Sequence, residues 1–425
     1  MCSLSYFVVA YRSSTPFLVT AKMQISGQKK KKAERSTPPP ATGQAGGWGS
    51  DKAADVTFEP GVVGVDDRTG PAPKPQAPRS GDVTDSHIKL LEPEMIAATS
   101  IPFAALKEEP FKVKAMLDDI GFAVVTDVLS AVEVQAMEQL FAADLTGIVE
   151  TKLHPNSKEL AFLKDPVHQW PQQEEFSLGT KFATMYGLPQ GQLAWACRTH
   201  PNVKAVYEAI YSTDALCCGM DNVFYNPNRC KTSTDSERSS NLWPHADQNA
   251  HLQPEGKYDV YQSVVYIWPA DLDTSATVVW PSSNQQYFQR LMNYTNARGH
   301  FCMMPKSEFG VFAEGARRIP VPAGGMLLWS SKTIHQGWPC GPRLAVPVCF
   351  EPKSRRTEAA LQRKIQCVQF GHPTTHWASL GKSHSMSSQC TGVDGGTQAV
   401  TLKHRAHKHC LDAQGNVLPH ILAYL

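Results

Sequence analysis

What this chain lacks narrows the reading first. It has no CxxC pair, and its 11 cysteines are an odd number, adjacent only at Cys217 and Cys218. A disulfide framework or a zinc knuckle needs paired spacing, so neither is expected, and a reducing, cytoplasmic setting suits such cysteines. No run of about eighteen apolar residues occurs, so no membrane-spanning helix is expected. Excess charge is missing too: the formal net charge is +2, and charged residues make up 19% of the chain. That removes the long-range field with which nucleic-acid binders steer their partners. No internal repeat is visible. What is present is 425 residues with 42% hydrophobic content, enough for a large core.

The first residues, MCSLSYFVVAYRSSTPFLVTAKMQ, are mildly apolar and free of acidic side chains. They lack a basic leading region and are interrupted by Arg12, which disfavours a secretory signal and leaves an organelle transit peptide open. Residues 27–85 are rich in Pro, Gly, Ser and charge and read as disordered, with Lys29–Lys32 as a solvated basic run or a nuclear address. Residues 1–86 are therefore assigned as a disordered or targeting region.

Order is expected from residue 87. A helix carrying Phe111, Ala115 and Leu117 should end before Gly121. The stretch GFAVVTDVL reads as a strand. Ser130, with Glu133 three positions on, forms a capping box for a second helix. Residues 150–200 are loop-rich and read as a lid or an insertion, centred on 150–195. HPNVKAVYEAIYST then gives a helix with Val203, Val206 and Ile210 inward. From residue 215 short β-branched and aromatic runs dominate: DNVFYNP, YQSVVYIWPA, TSATVVWPSS, RIPVP, GMLLWSS and RLAVPVCFEP, with one helical interruption, SSNQQYFQRLMNYTNARG. Strands in series without long helices between them favour a sandwich or barrel, in a chain of α+β, β-rich class. Residues 353–425 read as a C-terminal extension of one helix and loop. Its KHRAHKHC stretch, with His404, His407, His409 and Cys410, reads as an exposed basic segment, with metal binding as the rival.

NLWPHADQNAH places His245, Asp247, Asn249 and His251 on alternate positions, hence on one side of an extended backbone. An imidazole and a carboxylate two positions apart on a strand can converge on one Fe(II), Mn(II) or Zn(II) ion. A third ligand must come from afar, and His335, where GMLLWSS emerges, is a candidate. Two histidines and one carboxylate leave coordination positions open, as in the facial triad of non-haem iron oxygenases. Arg343 opens the next strand. An arginine is costly to bury unpaired, so a buried guanidinium there implies an anionic partner, and its fork suits a carboxylate.

These segments, in this order, resemble the Fe(II)/2-oxoglutarate-dependent dioxygenases, and most closely the phytanoyl-CoA dioxygenase group. The resembling stretches are DIGFAVVTDVLSAVEVQAM, LWPHADQNAH, VVYIWPADLDTSATVVWPSSNQ and IPVPAGGMLLWSSKTIHQGWPCGPRLAV, spanning roughly residues 110–350. Within them the turn reads Pro281-Ser282-Ser283-Asn284 in place of a glycine- and histidine-containing one.

The resemblance implies a double-stranded β-helix (jelly-roll, cupin-like) core over residues 87–352 with N-terminal and flanking helices. It implies Fe(II) held by His245, Asp247 and His335, and 2-oxoglutarate paired through its distal carboxylate with Arg343, with Asn226 as a further co-substrate contact. It implies hydroxylation of a small organic substrate by O2, with release of succinate and CO2. Halogenating relatives lose the carboxylate ligand, so Asp247 points to hydroxylation or a related oxidation. Trp243, Trp338 and His251 are candidates for the substrate pocket. Asn249 is assigned to a turn or to a place behind the ligands, and His300, His372 and His376, which show no partner pattern, to structural roles. Two rivals stand beside this reading. One is a non-catalytic β-helix module that binds ligand in the same pocket. The other is a cupin-like Zn or Mn enzyme, which an Arg343 turned away from the ion would favour. No nucleic-acid or membrane partner is expected, and the oligomeric state stays open.

Overall fold

Two six-stranded sheets account for most of the strands, and the second carries helices against its outer face. The computed structural model describes residues 88–152, 164–169, 187–227, 242–252, 255–271, 274–296, 299–338, 341–382 and 406–425, all within one unit, Val62–Leu425. The expectations for residues 1–86, for most of 153–186 and for His404 lie outside the described residues.

The chain opens with β1 (Lys89–Leu90), α1 (Pro93–Thr99) and β2 (Ser100–Pro102), then α2 (Lys112–Asp119) and β3 (Phe122–Thr126). Gly121 sits between α2 and β3 at φ +89°, a backbone conformation that favours glycine. A Cβ there would come within 2.6 Å of Thr333 Oγ1. The helix expected around Phe111 forms, but Phe111 lies at its cap and is 69% exposed, so only Val113, Met116 and Leu117 face the core.

Next comes α3 (Ala131–Lys152), with the expected capping box in place. The Ser130 amide and hydroxyl donate to Glu133 at 2.7 and 2.8 Å. The helices α4 (Gln192–Thr199) and α5 (Pro201–Tyr211) follow, the latter burying Val203, Val206 and Ile210 as its periodicity predicts.

The strand-rich part contains β4 (Leu216–Cys218), β5 (Phe224–Asn226), β6 (His245–Ala246), β7 (Tyr261–Tyr266) and β8 (Thr277–Val279). After α6 (Gln286–Met292) come β9 (Cys302–Met303), α7 (Phe309–Gly315), β10 (Arg317–Ile319), β11 (Met326–Ser330), β12 (His335–Gly337), β13 (Arg343–Pro347) and β14 (Phe350–Pro352). The helices α8 (Glu358–Phe370) and α9 (Pro419–Leu422) complete the described chain.

One sheet has the order β1-β10-β8-β12-β6-β9 and the other β2-β3-β11-β7-β13-β5, while β14 and β4 form a separate pair. From β5 to β8 and again from β10 to β13 successive strands alternate between the two sheets, so residues distant in sequence become neighbours.

The second sheet is buried on both faces. Val265, Leu328, Leu344 and Val346 pack with Leu117, Phe141, Leu193 and Val206 of the helices. Their neighbours in the chain, Val264, Tyr266, Leu327, Trp329 and Ala345, pack with Val278, Val279, Ile319 and Ile334 of the first sheet. Burial on both sides is why β7, β11 and β13 read as continuous apolar runs and not as alternating ones. The C-terminal segment adds Cys367, Val368, Cys410 and Ile421 to the helix-side core. The KHRAHKHC stretch is therefore not an exposed segment over its described part: His407 and Cys410 are buried. No described helix is long and apolar enough to cross a membrane.

The start of α4 illustrates a cap supplied from another helix. Gly191 at its N-cap has no side chain to offer, and Asp144 of α3 fills the role, accepting from the amides of Gln192 at 3.0 Å and Leu193 at 3.2 Å. Burial pushes the Asp144 carboxyl up to about 7, with the amide donors opposing it. An acid whose pKa is raised by folding keeps its proton while the unfolded chain loses one, so stability falls as pH rises from about 4 to 7. Asp144→Asn mimics the protonated form. Its urea midpoint is expected to match wild type near pH 4 and to exceed it at pH 8, by an amount on the order of a few kcal/mol in unfolding free energy. An equal gap at both pH values would contradict a protonated Asp144.

Candidate metal centre

His245, Asp247 and His335 converge on the first sheet, where β6 pairs with β12. The strands β6 and β12 pair antiparallel with His245 directly opposite His335, which puts both imidazoles on one face. Their rings lie 4.4 Å apart, centroid to centroid. The chain then turns at Asp247, whose carboxylate meets both rings: Oδ1 is 3.5 Å from His245 Nε2, and Oδ2 is 3.3 Å from His335 Nε2. One donor atom from each residue fits within 4.8 Å of the others, and this is the only such group of three among the described residues. Donors at right angles around an ion, with bonds of about 2.1 Å, stand ~3 Å apart, so the spacing fits a cation.

The histidine tautomers follow from the backbone. His245 Nδ1 lies 3.0 Å from the Trp243 carbonyl, and His335 Nδ1 lies 3.0 Å from the Thr333 carbonyl. A carbonyl only accepts, so each Nδ1 carries a hydrogen and each Nε2 of a neutral ring presents a lone pair to the centre. Two lone pairs and a carboxylate facing one another repel unless a proton or a metal ion stands between them. The charge balance agrees. Burial opposes ionisation of Asp247, but His245, His376 and hydrogen bonds from His245 and His335 outweigh it and hold the carboxyl well below its usual range. Burial disfavours the charged form of His245, yet Asp247 and the Trp243 carbonyl raise its pKa on balance. Burial and the neighbouring His245 lower that of His335. The arrangement binds one positive charge readily and resists a second proton.

The ligand strands are braced by neighbours. Gln262 of β7 donates to Asp247 Oδ2 at 3.0 Å. Ser283 accepts from the Ile334 amide at 2.8 Å and donates to the Trp280 carbonyl at 2.7 Å, tying the end of β8 to the start of β12. In that turn Ser282 takes φ 60°, so the turn keeps a glycine-like conformation without glycine. Thr333 donates to the Gly121 carbonyl at 2.8 Å, which anchors the loop that orients His335.

Arg343 lies inside the same inner core. Its guanidinium sits 4.4 Å from the Phe224 ring centroid and 5.6 Å from that of Tyr266. It makes long contacts of 3.4 Å to Tyr266 Oη and 3.3 Å to Thr277 Oγ1, and its buried Nε has no partner. Among the described residues no carboxylate pairs with it. The register links it to the metal ligands: β12 pairs β8 with His335 opposite Val279 and Gly337 opposite Thr277. Thr277 and His335 thus share a face, two register positions apart along the strands, and Arg343 reaches Thr277. Arg343, on β13 of the other sheet, thus brings a buried cation and the Tyr266 hydroxyl to a hydroxyl on the ligands' face, a setting whose chemistry suits an anion.

The other sequence candidates divide. Trp243 stacks on His245 at 4.2 Å with an interplanar angle of 14° and is 47% exposed, so it forms a wall of the site open to solvent. Asn226 faces Arg343 in register, but its amide donates to the Gly341 carbonyl at 3.0 Å. Trp338 is buried beneath the Arg318 guanidinium, 4.6 Å from its centroid, and lies away from the ligands. His251 turns aside, with Nε2 2.9 Å from the Met292 carbonyl. The alternation of 245, 247, 249 and 251 fails because the strand ends at Ala246. Asn249 is a turn residue as expected, its amide donating to the carbonyls of Asn296 and Gly299.

Three inward-facing residues escaped the sequence reading. Gln262 and the buried indole of Trp329, 5.0 Å from His335, sit in strands that look like ordinary core. His376, assigned to structure alone, lies 3.1 Å from the Asp247 carbonyl and 4.0 Å from its carboxylate. No local pattern marks it.

No protein-family model and no curated protein sequence matches the chain. Among solved structures, the epimerase SnoN in complex with Fe3+, alpha ketoglutarate and nogalamycin RO is 15% identical, covering 58% of this chain and 85% of its own, with a TM-score of 0.36. GlcNAc Inducible Gene 2 (GIG2, DUF1479) from Candida albicans is 12% identical over 76% of this chain and 81% of its own, with a TM-score of 0.41. EctD from S. alaskensis, in its apoform, is 14% identical over 58% and 78%, with a TM-score of 0.33. Similarity at this level does not by itself assign an activity.

Proposed function

We propose that this protein is an Fe(II)/2-oxoglutarate-dependent oxygenase that hydroxylates a small organic substrate with O2, releasing succinate and CO2. The observation that carries the reading is the convergence of two imidazole Nε2 atoms and one carboxylate, with a buried arginine, its Nε unpartnered, that reaches the ligands' face from the other sheet. A three-donor set of nitrogen and oxygen leaves positions open for co-substrate and O2, as a facial triad requires. When bound, the iron supplies the redox chemistry that couples oxidation of 2-oxoglutarate to oxidation of the substrate.

The chain's own residues do the rest. His245, Asp247 and His335 hold the ion. Arg343, with Tyr266 and Thr277, receives the distal carboxylate of 2-oxoglutarate and orients its 2-oxo acid end toward the ion. The apolar walls from Phe224, Tyr266 and Trp329 keep water from the buried charges, which strengthens each contact. Trp243 lines the entrance for the organic substrate. The strand orders β10-β8-β12-β6 and β11-β7-β13-β5 support a double-stranded β-helix core. We keep the division into residues 1–86, 87–352 and 353–425 as part of the same proposal. The reach of Arg343 to Thr277, on the ligands' face, favours this reading over a cupin-like Zn or Mn enzyme.

The test is anaerobic titration with Fe(II) and 2-oxoglutarate, then exposure to O2. Wild type is expected to bind both and to release succinate, and His245→Ala to release none. Wild-type protein that binds no 2-oxoglutarate in the presence of Fe(II) would sink the reading. Binding of both without succinate, across a panel of small organic substrates, would point instead to the non-catalytic module.

A further inference from the structure

We infer that the C-terminal segment Gly371–Lys382 is part of the metal centre, with His376 as the positioning residue that holds Asp247 in its coordinating orientation. The inference rests on the metal reading above.

The geometry is direct. His376 Nε2 lies 3.1 Å from the Asp247 main-chain carbonyl. That oxygen can only accept, so Nε2–H donates to it. Nδ1 of the same ring stands 4.0 Å from Asp247 Oδ2. The imidazole therefore hydrogen-bonds the backbone of the proposed ligand and stands beside its carboxylate. It does so where the chain has just left β6, so no strand partner holds Asp247 itself. Gln262 grips the carboxylate from the β7 side. His376 holds the main-chain carbonyl from the C-terminal side, and together they restrict both ends of the residue.

The segment carrying His376 is bolted in place by groups that are costly to bury. Lys364 of α8, fully buried, donates to the Ala378 carbonyl at 3.0 Å and to the Leu425 carbonyl at 2.8 Å. Glu351 of β14, also fully buried, accepts from the Ser379 amide at 2.9 Å. Thr374 exchanges two hydrogen bonds with Met220, from its own amide to the Met220 carbonyl and from the Met220 amide to its hydroxyl, both 2.8 Å. The backbone reverses at Gly381, φ +59°, where a Cβ would meet the Ala360 carbonyl at 2.7 Å. A buried charge needs a full set of partners to be tolerated. Two such charges direct hydrogen bonds to the segment flanking His376, which makes the ring a rigid prop and not a tail in passing contact. Outer groups that orient a metal-binding carboxylate typically change metal affinity 10–100-fold when removed.

The test uses the full chain with Co(II) as probe, read by calorimetry and by its visible absorption, alongside unfolding of the metal-free protein. His376→Leu and His376→Asn, whose side chains cannot reach the carbonyl, are expected to weaken Co(II) binding by ~10–100-fold and to change the Co(II) spectrum. His376→Gln, whose amide can replace Nε2–H, is expected to stay within about threefold of wild type. The metal-free Asn variant should unfold earlier than Gln, which keeps the hydrogen bond, so Co(II) is titrated where unfolding curves show both variants fully folded, and a difference in affinity there reports positioning and not folding. Wild-type affinity and spectrum in both Leu and Asn variants would overturn the inference, as would Gln failing as fully as Leu. Wild-type protein that binds no Co(II) would overturn the metal reading itself, a separate and distinguishable result.

Discussion

Alanine at Asp247 is expected to lower metal affinity by at least ~10³-fold, the largest single effect this site should show. The carboxylate is the only anion among the three convergent donors. Without it, two neutral imidazoles face a divalent ion in a buried setting, and the attraction that offsets the ion's lost hydration is gone. A loss of about 4 kcal/mol corresponds to that thousandfold change. The protein without metal should respond differently. Asp247 accepts from Gln262, whose amide would keep only a long contact to Ser331 Oγ, so its removal weakens a buried hydrogen bond, a cost of up to about 1–3 kcal/mol, while relieving its repulsion with the two imidazole lone pairs. Asp247→Asn is the sharper control, since it preserves shape and an acceptor while removing charge. Both variants are measured by anaerobic Fe(II) or Co(II) titration. Retention of wild-type affinity in Asp247→Ala would show that the three residues do not form the binding site.

Arg343→Met is expected to reduce 2-oxoglutarate affinity by ~10²–10³-fold while metal affinity in the absence of co-substrate stays within about threefold. Removing one partner of a buried charge pair typically costs 2–5 kcal/mol, and here the partner would be the distal carboxylate. The second half of the expectation has the opposite sign. Without co-substrate, Arg343 is a buried cation with an unpartnered Nε and only long contacts to two hydroxyls. Methionine, similar in length and apolar, relieves that cost. The metal- and ligand-free variant should therefore unfold at a higher temperature than wild type. Lysine in the same place should restore little 2-oxoglutarate binding, because a point charge cannot reproduce the fork held against Phe224. Calorimetry with 2-oxoglutarate and succinate, with and without metal, separates the terms. A variant that is destabilised and still binds 2-oxoglutarate normally would assign Arg343 to packing.

Much of the centre was legible because its parts are marked by local chemistry. A histidine and an aspartate two positions apart on a strand share a face whatever surrounds them. His335 and Arg343 stand out because each interrupts an apolar strand region where a polar residue is costly. The helices at Val203–Ile210 and behind Ser130 were equally legible, since periodicity and capping are properties of adjacent residues. The same local reasoning failed where the backbone stopped being regular. Asn249 and His251 continued the alternation on paper, but the strand ended at Ala246 and the turn sent each to a carbonyl. Trp338, next to a ligand strand in sequence, faces Arg318 because strand neighbours point to opposite sides.

The amino-acid sequence by itself determined which side chains this protein could use: two histidines and an aspartate suited to a divalent ion, an arginine too polar for its strand, and enough apolar strands to enclose them. Those choices follow from residue type and short-range spacing. Only the tertiary structure decided that the three donors meet, that Arg343 reaches their face from the other sheet, that Asp144 caps a helix far along the chain, and that His376 reaches Asp247. These depend on two sheets exchanging strands and on a C-terminal segment folded back by buried Lys364 and Glu351. Contacts across such separations are set by packing and register, which no local run of residues encodes.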